Sequence, residues 1–197
     1  MTDGLVRILE GNTFVVSDKR GDIEASATDP TGLFSFDTRF LSKWVLTVNG
    51  QRLNPLSVDD LHYYEARFFL VPGTGTVYVD AKLSVIRVRS VGDGFREELS
   101  ILNHEDKPVE LQVRIDASSD FADLFEVKDA LEKKGTYRNR VEPGRLAFLA
   151  RPRSRGQPAG CRLAVIHDDV RSRQHLHESA GAAVRARARG DHSARAR

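Results

Sequence analysis

Over residues 5–150 apolar and polar residues alternate in steps of two, and Gly, Asn and Asp interrupt the pattern at short intervals. A two-residue period puts successive side chains on opposite faces of an extended chain, so it selects strands with one dry and one wet side. The clearest run is Lys107 to Ser118. Val109, Leu111, Val113 and Ile115 fall on one side, and Glu110, Gln112, Arg114 and Asp116 on the other. Phe40 to Asn49 repeats the pattern with Trp44, Leu46 and Val48 inward, and it stops at Asn49-Gly50. That dipeptide favours a type I′ turn, which predicts a hairpin of Trp44–Val48 with Arg52–Val58. Thr76 to Ser90 gives a longer run in which Val77, Val79, Ala81, Leu83 and Val85 share a side. Gly92-Asp-Gly94 breaks it, and Phe95 to Asn103 returns. Helical spacing is confined to Ser118–Leu131, through Phe121, Leu124, Phe125 and Lys128; a turn leading into a short strand fits that stretch equally. The fold class expected is mainly β, an antiparallel β-sandwich, with α+β as the alternative.

The formal charge of +2 hides two different materials. Residues 151–197 carry eleven Arg against four Asp and Glu, a charge of +7, which leaves −5 on residues 1–150. Arg151 to Gly160 is a linker-type Pro, Gly and Arg stretch, and Cys161 to Ile166 is a short apolar run. From Arg171 the chain is nearly all Arg, Ala, His, Ser and Gly. So poor an apolar content does not offset the entropy of ordering, so the reading is a β domain over 1–150, then a linker and a disordered basic C-terminal tail over 151–197. The one cysteine, Cys161, excludes an intrachain disulfide and fits a reducing cytoplasm. Residues 1–10 lack the basic start and apolar run of a signal peptide. No stretch approaches the roughly 20 apolar residues that span a bilayer, so a soluble, cytoplasmic chain without a membrane partner is expected.

Four stretches together resemble the N-terminal domain of the bacterial glycogen-debranching enzymes of the amylo-α-1,6-glucosidase type. They are Phe14-Val-Val-Ser-Asp-Lys-Arg-Gly-Asp-Ile23; Gly32-Leu-Phe-Ser-Phe-Asp-Thr-Arg-Phe-Leu-Ser-Lys-Trp44 with Leu46-Thr-Val-Asn-Gly50; Arg87-Val-Arg-Ser-Val-Gly-Asp-Gly94 with Glu97-Glu98 and Asn103-His104; and Asp120-Phe-Ala-Asp-Leu-Phe-Glu-Val127. Ser35-Phe36 departs from the family pattern, where an aromatic-basic pair before Asp37 is more usual. The resemblance covers about residues 5–150. It implies a super-sandwich-like β domain that precedes a larger helical toroid, and the toroid carries the acidic residues that hydrolyse the α-1,6 linkage. GC-rich coding DNA read out of frame yields Arg, Ala, Gly and His, so a frameshifted, truncated debranching enzyme is one expectation for the tail, and a natural short protein the other.

The candidate site residues are Asp37, Arg39, Asp120, Asp123, Glu126, Tyr63 and Tyr64. Asp37 and Arg39, flanked by Phe34, Phe36 and Phe40, suit a bidentate pair, because the Arg fork matches a carboxylate. That pair either fixes a loop at a sheet edge, the favoured reading, or faces a sugar site or toroid. Asp18, Arg20 and Asp22 around Gly21 read as a tight turn with polar caps. Asp120, Asp123 and Glu126 are glycosidase-like by type, yet two catalytic carboxyls must straddle the scissile bond about 5–9.5 Å apart, and neighbours along one chain segment do not. An interdomain or structural role is favoured for them, with Phe121, Leu124 and Phe125 as core anchors. Trp44, Tyr63, Tyr64 and Tyr78 are the rings available for sugar stacking. Trp44 reads as buried, and one ring of the adjacent Tyr63-Tyr64 pair should face solvent. His104 reads as a turn residue at a strand end.

His167, His175, His177 and His192, with Cys161 and Asp168, form a weak ligand set, so neither metal nor cofactor is expected. The Arg-rich tail lacks interleaved aromatics, so no specific nucleic-acid partner is expected. Gly92-Asp-Gly94 is not a phosphate loop, and no Gly-x-Ser-x-Gly elbow occurs. The expected function is a non-catalytic domain that supports or orients α-glucan for a toroid, without glucosidase activity of its own. A freestanding α-glucan-binding module and an inert remnant are the alternatives.

Overall fold

The computed structural model describes residues 4–26, 30–73, 82–92, 94–105, 109–128, 135–142, 145–152, 162–172 and 179–190. In chain order the strands are β1 (Val6–Glu10), β2 (Thr13–Ser17), β3 (Ile23–Glu24), β4 (Gly32–Ser35), β5 (Thr38–Leu41), β6 (Lys43–Val48), β7 (Gln51–Arg52) and β8 (Asn54–His62). They continue with β9 (Glu65–Val71), β10 (Leu83–Val91), β11 (Phe95–Asn103), β12 (Val113–Ser118), β13 (Gly135–Glu142), β14 (Arg145–Pro152), β15 (Arg162–Ser172) and β16 (Ser179–Gly190). The helix α1 (Leu124–Lys128) is a little over one turn.

The strands pair antiparallel in three sheets, ordered β1-β2-β4-β5, β12-β6-β3 and β13-β14-β15-β16-β11-β10-β9-β8; β7 adds to β6. Their apolar faces meet in one core. Val6, Ile8 and Val15 come from the first sheet, Ile23, Trp44 and Leu46 from the second, and Phe68, Leu70, Val85 and Leu99 from the third. The architecture is the mainly β, antiparallel sandwich that the alternation implies.

The turn at Asn49-Gly50 forms as expected, with φ of 51° and 76° at its two central residues, the signs a type I′ turn needs. Its second arm is shorter than the pattern suggests. β7 pairs with β6 only through Arg52 and Gln51, and the chain then changes sheet. Leu53 is the pivot. Its side chain is buried, its carbonyl accepts a bond from Arg20 Nε at 2.9 Å, and Asn54–His62 pairs with β9 in the third sheet. The strand expected from Lys107 also shortens. β12 begins at Val113 and pairs with β6, while Val109 and Val113 are exposed and Leu111 and Ile115 lean on the core. Residues 74–81, which include Val77, Tyr78 and Val79, lie outside the described residues, as do 129–134.

The antiparallel pairing continues into the C-terminal part of the chain. Arg162–Ser172 and Ser179–Gly190 form strands, and β16 pairs with β11 from Phe95↔Ala186 to Leu102↔Ser179. Val184-Arg-Ala-Arg-Ala-Arg189 has a two-residue period of its own, and the backbone donors and acceptors of β11 offer it a template that does not depend on large apolar side chains. Residues 173–178 and 191–197 lie outside the described residues.

Candidate functional site

Five of the seven candidate residues come together on one edge. Arg39 leaves β5 with its stem under Phe34, whose ring lies 6.0 Å from the guanidinium carbon. Gly32 opens the space for it, because a Cβ there would sit 2.6 Å from Arg39 Cδ. The partner of Arg39 is Asp120, not the adjacent Asp37. Nε donates to both carboxylate oxygens at 3.1 Å, and Nη2 to Oδ2 at 2.5 Å. The reason is position. Asp37 sits in the exposed β4–β5 turn, whereas Arg39 points inward and is only 8% exposed. Asp37 contributes its carbonyl, which accepts from Leu124 N at 2.9 Å, and Arg39 N donates to Ala122 O at 2.8 Å. These bonds seat the 120–128 segment on the β4–β5 hairpin.

Asp120 also accepts from Ala122 N at 3.2 Å, closing a local turn. Asp123 and Glu126 form a reciprocal capping box on α1. Asp123 Oδ1 accepts from Glu126 N and Glu126 Oε2 from Asp123 N, both at 2.8 Å. Phe121 is the anchor that the sequence suggests, buried with φ of 48° and packed edge-on to Phe40 at 5.7 Å. Leu124 and Phe125 are not anchors. A helix this short presents them outward, with Phe125 72% exposed. Phe36 at the β4–β5 turn is 58% exposed, so the edge carries apolar rings beside carboxylates.

Tyr63 and Tyr64 lie elsewhere, in the turn between β8 and β9 rather than in a strand. As expected, one ring faces solvent: Tyr63 is 67% exposed, while Tyr64 leans on the core. The two rings meet edge-on at 5.2 Å, and His62 stacks on Tyr64 at 5.4 Å. A shallow open cleft adjoins the turn, lined by Asp59, Leu61, His62, Glu65 and Arg67. Trp44 is buried at 1% exposure and presents no sugar platform. His104 sits at the end of β11, exposed, with its ring 2.7 Å from Ser84 Oγ. Among the described residues no group of His, Cys, Asp and Glu is arranged to hold a metal. Cys161, His175, His177 and His192 lie outside the described residues, and only the strand pairing of His167 and Asp168 is described.

Sequence reasoning missed a buried charge cluster. On β10 the inward positions run Leu83, Val85, Arg87, Arg89, Val91, and Glu97 faces Arg89 across the β10–β11 pair. Glu97 accepts from Arg87 Nη2 at 2.9 Å, Arg89 Nε at 2.9 Å and Nη2 at 2.5 Å, and Trp44 Nε1 at 2.8 Å. Asp22 completes it, accepting from Arg87 Nη1 at 2.7 Å and from Leu46 N at 3.1 Å. Arg89 donates to Gly21 O and lies between the rings of Phe68 and Phe95, at 5.4 and 5.2 Å. Two cations and two carboxylates balance, which is the condition for burying them. Burial is the strongest influence on the Glu97 carboxyl and pushes its pKa up. The Arg87 and Arg89 charges and the Trp44 N–H outweigh it, so the carboxyl ends below its ordinary range. Burial also works against the Arg87 cation, but Glu97 and Asp22 reverse it and raise its pKa. At Arg89 burial, joined by repulsion from Arg87, prevails over Glu97 and lowers the pKa. Both guanidiniums remain cations at neutral pH. The signal lay in the parity: charged residues at core-facing positions of both strands of one hairpin.

The expected turn at Asp18–Asp22 forms around this cluster. Asp18 Oδ1 accepts from Arg20 N and Asp22 N, both at 2.8 Å, and Gly21 takes φ of 79°.

Fold and site together define an antiparallel β domain with an acidic, aromatic edge and a charge-neutral polar core. Its family follows from comparison: the chain belongs to the family described as the N-terminal domain of (some) glycogen debranching enzymes, whose family model matches residues 8–194. The match runs on through the composition change at Arg151. Comparisons with curated proteins and with solved structures found no match. No helix among the described residues is long and apolar enough to cross a membrane.

Proposed function

We propose that the chain is a non-catalytic positioning domain, which supports or orients α-glucan for a helical toroid that carries the hydrolytic residues. The observation that carries this reading is the convergence of Asp37, Arg39, Asp120, Asp123 and Glu126 on one backbone-fixed edge beside exposed Phe36 and Phe125. The Asp120, Asp123 and Glu126 carboxylates engage a guanidinium and backbone N–H groups of their own segment, so they brace a surface instead of facing each other across an open cleft. Exposed rings rimmed by fixed charges suit a partner surface. In this reading the toroid docks there, and the domain contributes to rate by holding a polymer in place, a proximity effect. The compartment in this reading is the cytoplasm, consistent with the single cysteine.

The test is direct. Pure chain incubated with a branched limit dextrin should release no glucose; release that tracks the purified protein refutes the reading. Addition of a separately produced debranching-enzyme toroid should give a complex on size exclusion. Phe36→Ser with Phe125→Ser should abolish that complex without lowering the melting temperature.

A further inference from the structure

The turn between β6 and β7 brings an amide side chain close to a backbone nitrogen that carries little bulk. Asn49 precedes Gly50, and both are exposed. Of the five asparagines in the chain this is the one followed by glycine; Asn12, Asn54, Asn103 and Asn139 are followed by Thr, Pro, His and Arg. The space beside Gly50 is open, since a Cβ there would meet nothing within 4 Å. The side-chain carbonyl of Asn49 is held and polarised. Its Oδ1 accepts from Gln112 N at 2.9 Å, while Asn49 N donates to Gln112 O at 2.8 Å. An N–H aimed at that oxygen favours addition at Cγ, because negative charge collects on the oxygen as a nucleophile adds.

The turn geometry decides whether the Gly50 nitrogen reaches that carbon. Closing a five-membered ring from Gly50 N to Asn49 Cγ requires the nitrogen to eclipse Cβ about the Cα–C bond. For an L-residue this eclipse falls at ψ of about −120°, the value at the first central residue of a type II′ turn. The type I′ turn holds that ψ at about +30° and turns the nitrogen away. One flip of the Asn49–Gly50 peptide plane interconverts the two. Asn49 already has the positive φ that both turns share, 51°. Gly50 passes from φ of 76° to a negative value, which a residue without Cβ tolerates. Both primed turns match the twist of paired strands, so the Val48↔Gln51 pair stays closed during the flip.

We infer that Asn49-Gly50 is a self-modification site, which converts to aspartate and isoaspartate while the chain stays folded. Gly50 N gives its proton to hydroxide and bonds to Asn49 Cγ. The Cγ–Nδ2 bond then breaks, and ammonia leaves with a proton from water, giving a cyclic succinimide. Water opens the ring at either carbonyl. Attack at Cγ gives aspartate, and attack at the main-chain carbon gives isoaspartate; no oxidant or reductant takes part. The aspartate keeps an acceptor for Gln112 N. The isoaspartate adds one carbon to the main chain of a two-residue loop, so the Val48↔Gln51 pair and the Asn49–Gln112 bonds no longer fit together.

The experiment is incubation of the full chain at mildly alkaline pH beside a sample unfolded in urea, with peptide mapping by mass spectrometry at intervals. Fluorescence of Trp44, the one tryptophan, checks that the first sample stays folded. Chromatography separates aspartate from isoaspartate peptides. The folded sample should show amide-to-acid conversion at Asn49 with both products, and none at the other four asparagines. Its rate should rise with pH and lie within about tenfold of the unfolded sample, since a turn flip is the one added step. Asn49→Asp should melt with the parent, and the isolated isoaspartate form at a lower temperature. An Asn49 that stays intact when folded while the urea sample converts overturns the site. Aspartate without isoaspartate overturns it too, because that is direct hydrolysis. An isoaspartate form that melts with the parent overturns the effect on the turn.

Discussion

Replacing Glu97 by Gln tests the buried charge cluster with the least change of shape. The carboxylate is fully buried and receives Arg87, Arg89 and the Trp44 indole N–H. An amide keeps one acceptor oxygen and turns an NH2 group toward guanidinium donors. It also leaves two buried cations with Asp22 as the remaining carboxylate of the cluster. Breaking a buried pair by removing one partner costs about 3–5 kcal/mol. In a chain of this length about 1 kcal/mol moves the melting temperature by about 2–4 °C, so a fall of roughly 6–20 °C is expected. Urea denaturation followed by fluorescence is the assay, because Trp44 is the one tryptophan and touches the altered group. Charge balance gives the decisive control. Arg89→Met added to Glu97→Gln restores one cation to one carboxylate, so the double variant should recover about 1 kcal/mol or more relative to simple addition of the two losses. A Glu97→Gln loss below about 1 kcal/mol, or strictly additive losses, would refute the reasoning.

Three further outcomes follow from the same geometry. The Glu97 carboxyl sits below its ordinary range in the folded chain, so its contribution is complete above the unfolded value of about 4.3 and is lost as pH falls through the lower folded value. Melting temperature should therefore drop steeply below about pH 4, and much less so in Glu97→Gln, by scanning calorimetry. Asp120→Asn should destabilise by about 1–3 kcal/mol because Arg39 is left buried without its charge partner, whereas Asp37→Asn should stay within about 0.5 kcal/mol; equal effects would return Asp37 to the pairing role. Gly21→Ala should destabilise by about 1–3 kcal/mol in the same urea assay, since a Cβ would sit 3.0 Å from the Phe68 ring at φ of 79°.

The parts of the fold that were legible in sequence are those whose cause is local. Asn49-Gly50 needs only two residues of positive φ, and Gly21 between Asp18 and Asp22 carries its own caps. The periodicity located Trp44 in the core and the strands around it. What was not legible depends on partners far along the chain. Arg39 has a carboxylate two residues away, yet it binds one 81 positions distant, because every residue of β5, Arg39 included, is buried while Asp37 remains in the exposed turn. Leu124 and Phe125 have helical spacing, but α1 is too short to turn them back onto the core. The pairing of β16 with β11 cannot be read from composition. Counting Arg and Ala obscures an alternation that a neighbouring strand edge can use.

The position of Arg87, Arg89 and Glu97 has a consequence for register. A one-residue slip between β10 and β11 sends Leu83, Val85 and Val91 to the wrong face, and hydrophobicity alone resists that. A two-residue slip does not exchange faces, so an all-apolar interior would resist it only through imperfect packing. Here a slip that sets Glu97 opposite Val91 takes it away from Arg87, which unpairs buried charge. The penalty for an unpaired buried ion is several kcal/mol, far above what mismatched aliphatic packing imposes per contact. The cluster also reaches beyond its hairpin. Asp22 and the carbonyls of Arg20 and Gly21 tie it to the turn before β3, and Trp44 ties it to β6. Fixing β10 fixes Val91, whose N–H holds the Tyr64 carbonyl, so the charges in the core set the position of the turn that carries Tyr63.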